Sequence, residues 1–183
     1  MVPSRGRRIL PVIGSIAPVG DTRWKTSVTV AAIVERDGRY LLVEEHTADG
    51  LRLNNPAGHL DPGESPLEAV VREALEETGR TFTPRALVGV YLSRAQRNDP
   101  PSDVTYVRIA FTGDVSEPLP GRALDPEIVR TLWTTPDELR ANAARHRSPL
   151  LMRCVDDHRA GQRHPLDLVF TDPSVYTGGS PKP

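Results

Sequence analysis

The stretch GHLDPGESPLEAVVREALEETG (Gly58–Gly79) places Arg72, Glu73, Glu76 and Glu77 within six positions of one short segment. Its ends are punctuated as a helix. Ser65 is a good N-cap, Pro66 fits the first helical position, Glu68 completes an S-x-x-E capping box, and Gly79 supplies the stop. On a helical wheel over Pro66–Thr78, Leu67, Val70, Val71, Ala74, Leu75 and Thr78 form one apolar stripe that must pack on a sheet. Glu73, Glu76 and Glu77 cluster away from it at i, i+3 and i+4, as surface neighbours. Like charges at that spacing destabilise a helix by a few tenths of a kcal/mol per pair, and its C-terminal dipole disfavours anions as well. A hard divalent cation reverses the sign of that cost, because Mg²⁺ takes carboxylate oxygens together with substrate phosphates. Arg72 is placed to pair with Glu64 and hold the preceding loop against the helix.

Upstream, Ser27–Glu35 and Tyr40–Glu45 read as two strands joined at Asp37-Gly38, a pair that tolerates φ > 0 and marks a hairpin. A turn at Ala48-Asp49-Gly50 leads into Leu51–Asn55. The following segment, with Gly58, Pro62 and Gly63, reads as irregular loop. Downstream, β-like runs cover Arg85–Leu92, Val104–Thr112 and Ile128–Trp133, with Pro100-Pro101 between the first two. Helices open at Thr135-Pro136 and Ser148-Pro149. This order implies an α/β sandwich with a mixed or mostly antiparallel sheet. Residues 1–25 read as a basic extension, 26–171 as one domain, and 172–183 as a flexible tail.

The bulk composition narrows the classes. With 183 residues, 38% of them hydrophobic and 26% charged, the chain suits a single globular domain. A balance of 23 basic against 24 acidic residues gives no general attraction to nucleic acid. No apolar run reaches bilayer-spanning length. Pro11, Gly14, Ser15 and Pro18 break the apolar run near the N-terminus, so it does not read as a signal peptide. The single cysteine, Cys154, has no internal partner, reads as a small buried hydrophobe, and suits a cytoplasmic location.

The opening stretch matches G-x₅-E-x₇-R-E-U-x-E-E-x-G-U, where U is aliphatic, at Gly58, Glu64, Arg72, Glu73, Glu76, Glu77 and Gly79. Seven residues at fixed spacing coincide by chance roughly once in 10⁸ starting points. The chain therefore resembles the Nudix hydrolases. Two positions depart: Ala74 replaces a larger aliphatic residue, and Arg80 stands where an aliphatic residue is expected.

The resemblance implies an α/β/α sandwich around a mixed sheet, with a loop–helix–loop catalytic box. It implies Mg²⁺ as cofactor, with Mn²⁺ able to substitute, held by Glu73, Glu76, Glu77 and the Gly58 carbonyl, and supported by the Arg72–Glu64 pair. The general base lies in the box or in an outside loop, where Glu117, Asp125 and Glu127 are candidates. The similarity over Val28–Leu168 extends to a phosphatase branch acting on nucleoside di- and triphosphates, thiamine pyrophosphate and hydroxymethylpyrimidine pyrophosphate. Its expected partner is a small-molecule pyrophosphate, with no nucleic acid or membrane, in a monomer or homodimer. Alternatives are cleavage of an internal pyrophosphate, as in ADP-ribose or dinucleotides, and a ligand-sensing binding module. Substrate candidates are Asn54, His59, Arg94, Arg108 and Arg163, with Asn55, Arg97 and His164 as further neighbours. Trp133 is expected in the core rather than as a stacking platform.

Overall fold

The computed structural model describes residues 25–98 and 101–177, so nearly all of the basic extension lies outside the described residues. Two four-stranded sheets are joined through one continuous run of chain. Strand β1 (Ser27–Ile33) belongs to the first sheet, and β2 (Glu35–Arg36) starts the second. The turn at Asp37 (φ 51°) and Gly38 (φ 76°) takes the left-handed conformations expected of a tight hairpin. It leads into β3 (Arg39–Thr47), which then pairs with β4 (Gly50–Asn54).

A short strand follows where irregular loop is expected: β5 (Ala57–His59) lies antiparallel to β1, with Gly58 opposite Val30. Three residues carry too little pattern to mark a strand, and the pairing is supplied by β1. Helix α1 spans Pro66–Thr78, and both hydrogen bonds of the Ser65/Glu68 capping box are formed. Gly79 closes it at φ 65°.

Strands β6 (Phe82–Asn98) and β7 (Pro101–Val115) form a hairpin much longer than the sequence pattern indicates. Its distal half has no core-facing alternation. Cross-strand hydrogen bonding holds it together, and the exposed Arg94–Asp103 pair (2.7 Å) spans the two strands. Strand β8 (Ile128–Thr134) completes the second sheet on β3, and helices α2 (Pro136–Ala141) and α3 (Leu150–Arg159) follow. The first sheet runs β5-β1-β7-β6, with β1 and β7 parallel and the other pairs antiparallel.

Alternation along β1 divides the core. Val30, Ala32 and Val34 pack on the α1 side with Val70, Ala74 and Phe111. Ala31 and Ile33 pack on the α3 side with Leu151, Cys154 and Val155. A strand buried on both faces explains the unbroken apolar run TVAAIV. Cys154 is fully buried, and burial pushes its thiol up to about 11, in keeping with a packing role.

Two details refine the sequence reading. Arg80 is buried against the ring of Trp133, 5.9 Å from its centroid, while Arg36 lies over the same ring at 5.1 Å. Arg80 also donates to the Ser116 carbonyl (2.9 Å), so its stem and guanidinium fill the space of the expected aliphatic residue. Helix α1 buries Glu73 and Glu77 along with Val70 and Ala74, while Leu67, Val71 and Leu75 are only half-buried. The acidic face is not a solvated one. It lies against β5.

Candidate active site

A cleft of about 1240 Å³ opens where the ends of both sheets meet α1 and the start of α3. That volume admits a nucleotide-sized ligand. One wall is the acidic edge of α1. Glu77 is 7% exposed, and its Oε2 accepts from the Ala57 amide (2.8 Å). Burial first, then the charge of Glu45, pushes its carboxyl up to about 9, against the opposing pull of the Ala57 amide. Burial likewise raises Glu73, opposed by Arg72.

Arg72 organises this wall. Its Nε and Nη2 grip Glu64 at 3.0 and 2.6 Å, and Nη2 also donates to the His59 carbonyl (2.9 Å). Its Nη1 reaches Glu73 (2.8 Å) and Glu76 (2.9 Å). The arginine thus ties the loop to the helix and shares its single charge among three carboxylates. The backbone at Gly58 presses against Glu73: a Cβ added there would lie 2.1 Å from the Glu73 carboxyl carbon. Only glycine lets the strand pass so close.

Among the described residues, no three acidic or histidine side chains stand close enough together to enclose a metal ion as placed. Arg72 already occupies oxygens of Glu73 and Glu76, and Glu77 faces the Ala57 amide. The donor set is nonetheless that of a hard cation: three carboxylates beside a strand backbone, two of them raised by burial. The residues fit Mg²⁺ or Mn²⁺ in chemistry, since Arg72 engages only one oxygen of Glu73 and one of Glu76.

The NUDIX domain model matches residues 24–154. This chain belongs to the Nudix family. Phosphatase NudJ of Escherichia coli K12 is 33% identical over 147 residues, 80% of this chain and 92% of the relative. A NUDIX hydrolase from Nitrosomonas europaea superposes with a TM-score of 0.74 at 47% identity, covering 81% of this chain and 98% of that one. A MutT NUDIX hydrolase from Burkholderia pseudomallei shares the fold, with a TM-score of 0.61 at 22% identity over 73% of this chain and 98% of that one. The Nudix assignment makes the chain a hydrolase acting on pyrophosphate bonds.

The remaining candidates separate clearly in this Nudix fold. Asn54, His59, Arg94 and Arg108 line the cleft, as do Asp125 and Glu127. The Asp125 amide donates to the Glu76 carbonyl (3.0 Å), which sets that loop beside the acids. Glu117 is instead paired with Arg36 (2.8 Å) behind Trp133, away from the cleft-lining residues. Arg163 is also absent from the cleft lining. It closes the end of α3, donating to the His158 carbonyl (3.0 Å) and to His158 Nε2 (2.5 Å), while His164 exchanges backbone bonds with Leu87. Arg163 therefore stands outside the cleft lining, with Nη1 and Nη2 engaged at the helix end. Asn55 is buried outside the cleft lining, Trp133 packs partly buried on the core, and the Arg97 side chain lies outside the described residues.

Sequence reasoning missed Glu45 and the Arg147–Leu150 segment, both in the cleft wall. The signal for Glu45 lies in strand alternation. Glu44 turns to the other face of β3 and is paired by Arg130 (2.6 Å) and Arg145, which leaves Glu45 on the cleft side.

Proposed function

We propose that this Nudix hydrolase is Mg²⁺-dependent and releases phosphate from small-molecule pyrophosphates. The substrates in view are nucleoside di- and triphosphates, thiamine pyrophosphate or hydroxymethylpyrimidine pyrophosphate. The observation that carries this reading is the buried pair of Glu73, pressed against Gly58, and Glu77, bonded to the Ala57 amide, at the end of a nucleotide-sized cleft. The likeness to a phosphatase over 80% of the chain supports release of phosphate.

In this reading Glu73, Glu76, Glu77 and the Gly58 carbonyl hold the metal. Once bound, Mg²⁺ supplies positive charge against the phosphate oxygens and acidifies water for attack at phosphorus. Arg72 fixes the helix to the loop through Glu64, so the acids keep their positions through turnover. A carboxylate of the box takes the proton from the attacking water. Mn²⁺ substitutes for Mg²⁺, since both are hard cations. The location expected is cytoplasmic. No helix among the described residues is long and apolar enough to cross a membrane.

The test supplies Mg²⁺ with GDP, GTP, thiamine pyrophosphate or ADP-ribose and identifies the products. Orthophosphate from the first three is expected, whereas a nucleoside monophosphate from ADP-ribose alone would move the cleavage to an internal pyrophosphate. Glu77→Gln is expected to lower the rate at saturating metal by about 100-fold or more. Undiminished turnover in that variant, or with chelator in excess, would overturn the metal assignment.

A further inference from the structure

Beside the α1 acids, the cleft is lined by polar side chains with buried atoms that the protein leaves unmet. Arg108 is 7% exposed, and its Nε and Nη1 have no hydrogen-bond partner. Asn54 is 5% exposed with Oδ1 unpartnered. Glu45, whose Oε2 lies 3.7 Å from Arg147, has its buried Oε1 unpartnered. Buried polar groups of folded proteins are nearly always paired, so three orphans around one cleft need an explanation.

Their position is fixed by register. Arg108 on β7 lies opposite Thr29 on β1, and Thr29 lies opposite His59 on β5. Two strand spacings put the Arg108 backbone about 10 Å from the end of the metal-binding segment. Cys154 and Glu45 are among the groups interacting with its guanidinium. The distance suits the part of a substrate beyond its phosphates.

The signs of the orphans select the ligand. A pyrophosphate has only acceptors at neutral pH, so it would satisfy Arg108 and still leave Glu45 Oε1 without a donor. Arg108 can only donate, and an ionised Glu45 can only accept. A flat heterocycle with a ring or carbonyl acceptor beside an N–H donor meets both. Resting on the hydrolase reading above, we propose that Arg108, Glu45 and Asn54 form a reader for the base-like ring of the substrate. Arg108 donates to the ring acceptor, while Glu45 and Asn54 take its N–H groups.

The test has two arms, with Arg108→Met and Glu45→Leu as variants checked for folding by circular dichroism. Saturation-transfer NMR without metal compares cytidine, guanosine and ribose. Signal from both nucleosides, none from ribose, and weakening of about fivefold or more in each variant are expected. With Mg²⁺, the ratio of KM for GDP to KM for the ringless methyl diphosphate is expected to rise about tenfold in each variant. An equal rise in both KM values would assign Arg108 to phosphate and overturn the reader. Unchanged nucleoside signals would overturn it as well. Absence of hydrolysis by the unmodified enzyme would defeat the proposed function alone, because the metal-free arm still decides the reader.

Discussion

Two polar clusters in this molecule treat an arginine in opposite ways. At the end of α3, buried Tyr40 and His158 meet at 2.8 Å, and Arg163 covers them by donating to His158 Nε2. Arginine has no acceptor, so Nε2 must be the accepting nitrogen, and Nδ1–H then faces the Tyr40 hydroxyl. Both ring nitrogens of His158 are thus partnered within the chain. In the cleft, Arg108 is buried deeper than Arg163 and keeps two donors unmet, in the same lining as an unmet acceptor on Glu45. A cluster satisfied by its own chain maintains the fold, while one left unsatisfied in a cleft is set for a ligand. Both arginines invite the same substrate role on paper, and only their partners distinguish them.

The sharpest way to break this comparison is at the cleft. Gly58→Ala forces a methyl group into the Glu73 carboxylate, with the ideal Cβ 2.1 Å from its carbon. Phosphate release is expected to fall about 100-fold, with the far-ultraviolet dichroism unchanged, because ångström-scale displacement of reacting groups carries penalties of that order. Retained activity would mean that the close approach is incidental.

Arg163→Ala is expected to do the converse. Loss of the covering donor costs about 1 kcal/mol of stability in urea unfolding, while KM for GDP stays within about twofold. A large rise in KM would return Arg163 to the substrate.

His158 gives a pH signature. Burial first, then the charge of Arg163, lowers it to about 4 from an ordinary 6.5. Between these values the unfolded chain binds a proton that the folded chain refuses, so this residue's contribution to stability rises with pH from about 4 to 6.5. Comparing unfolding midpoints across that window, His158→Phe is expected to flatten the slope. An unchanged slope would show that other groups carry it.

The smallest effect is expected at Arg94, whose bond to Asp103 lies between two exposed side chains. Arg94→Ala is expected to leave the thermal midpoint within experimental error.

Much of this architecture is legible from local rules. The capping box, the glycine stop and the Asp37-Gly38 turn each depend on a few adjacent residues, and all three form as read. The burial of Glu73 and Glu77 is not legible, because β5, which covers them, is too short to announce itself. Nor is the length of the β6–β7 hairpin, whose outer half has no buried face to impose alternation. Within the site, the charged box is visible from spacing. Arg108 and Arg163 separate only once the packing of α3 is known, since whether a donor is used depends on residues distant in sequence.

The extended hairpin has a consequence for how such a protein diversifies. Its outer portion contributes Ser93, Ala95, Gln96 and Ser102 to the cleft, yet exposes Val90 and Leu92 and adds little to either core. The residues proposed to break the phosphoanhydride sit on a capped helix bedded in the core, whereas this arm tolerates change without unfolding the domain. Inheritance can therefore keep the reaction fixed while the arm is rewritten, so relatives that share the box are free to part company over what they accept.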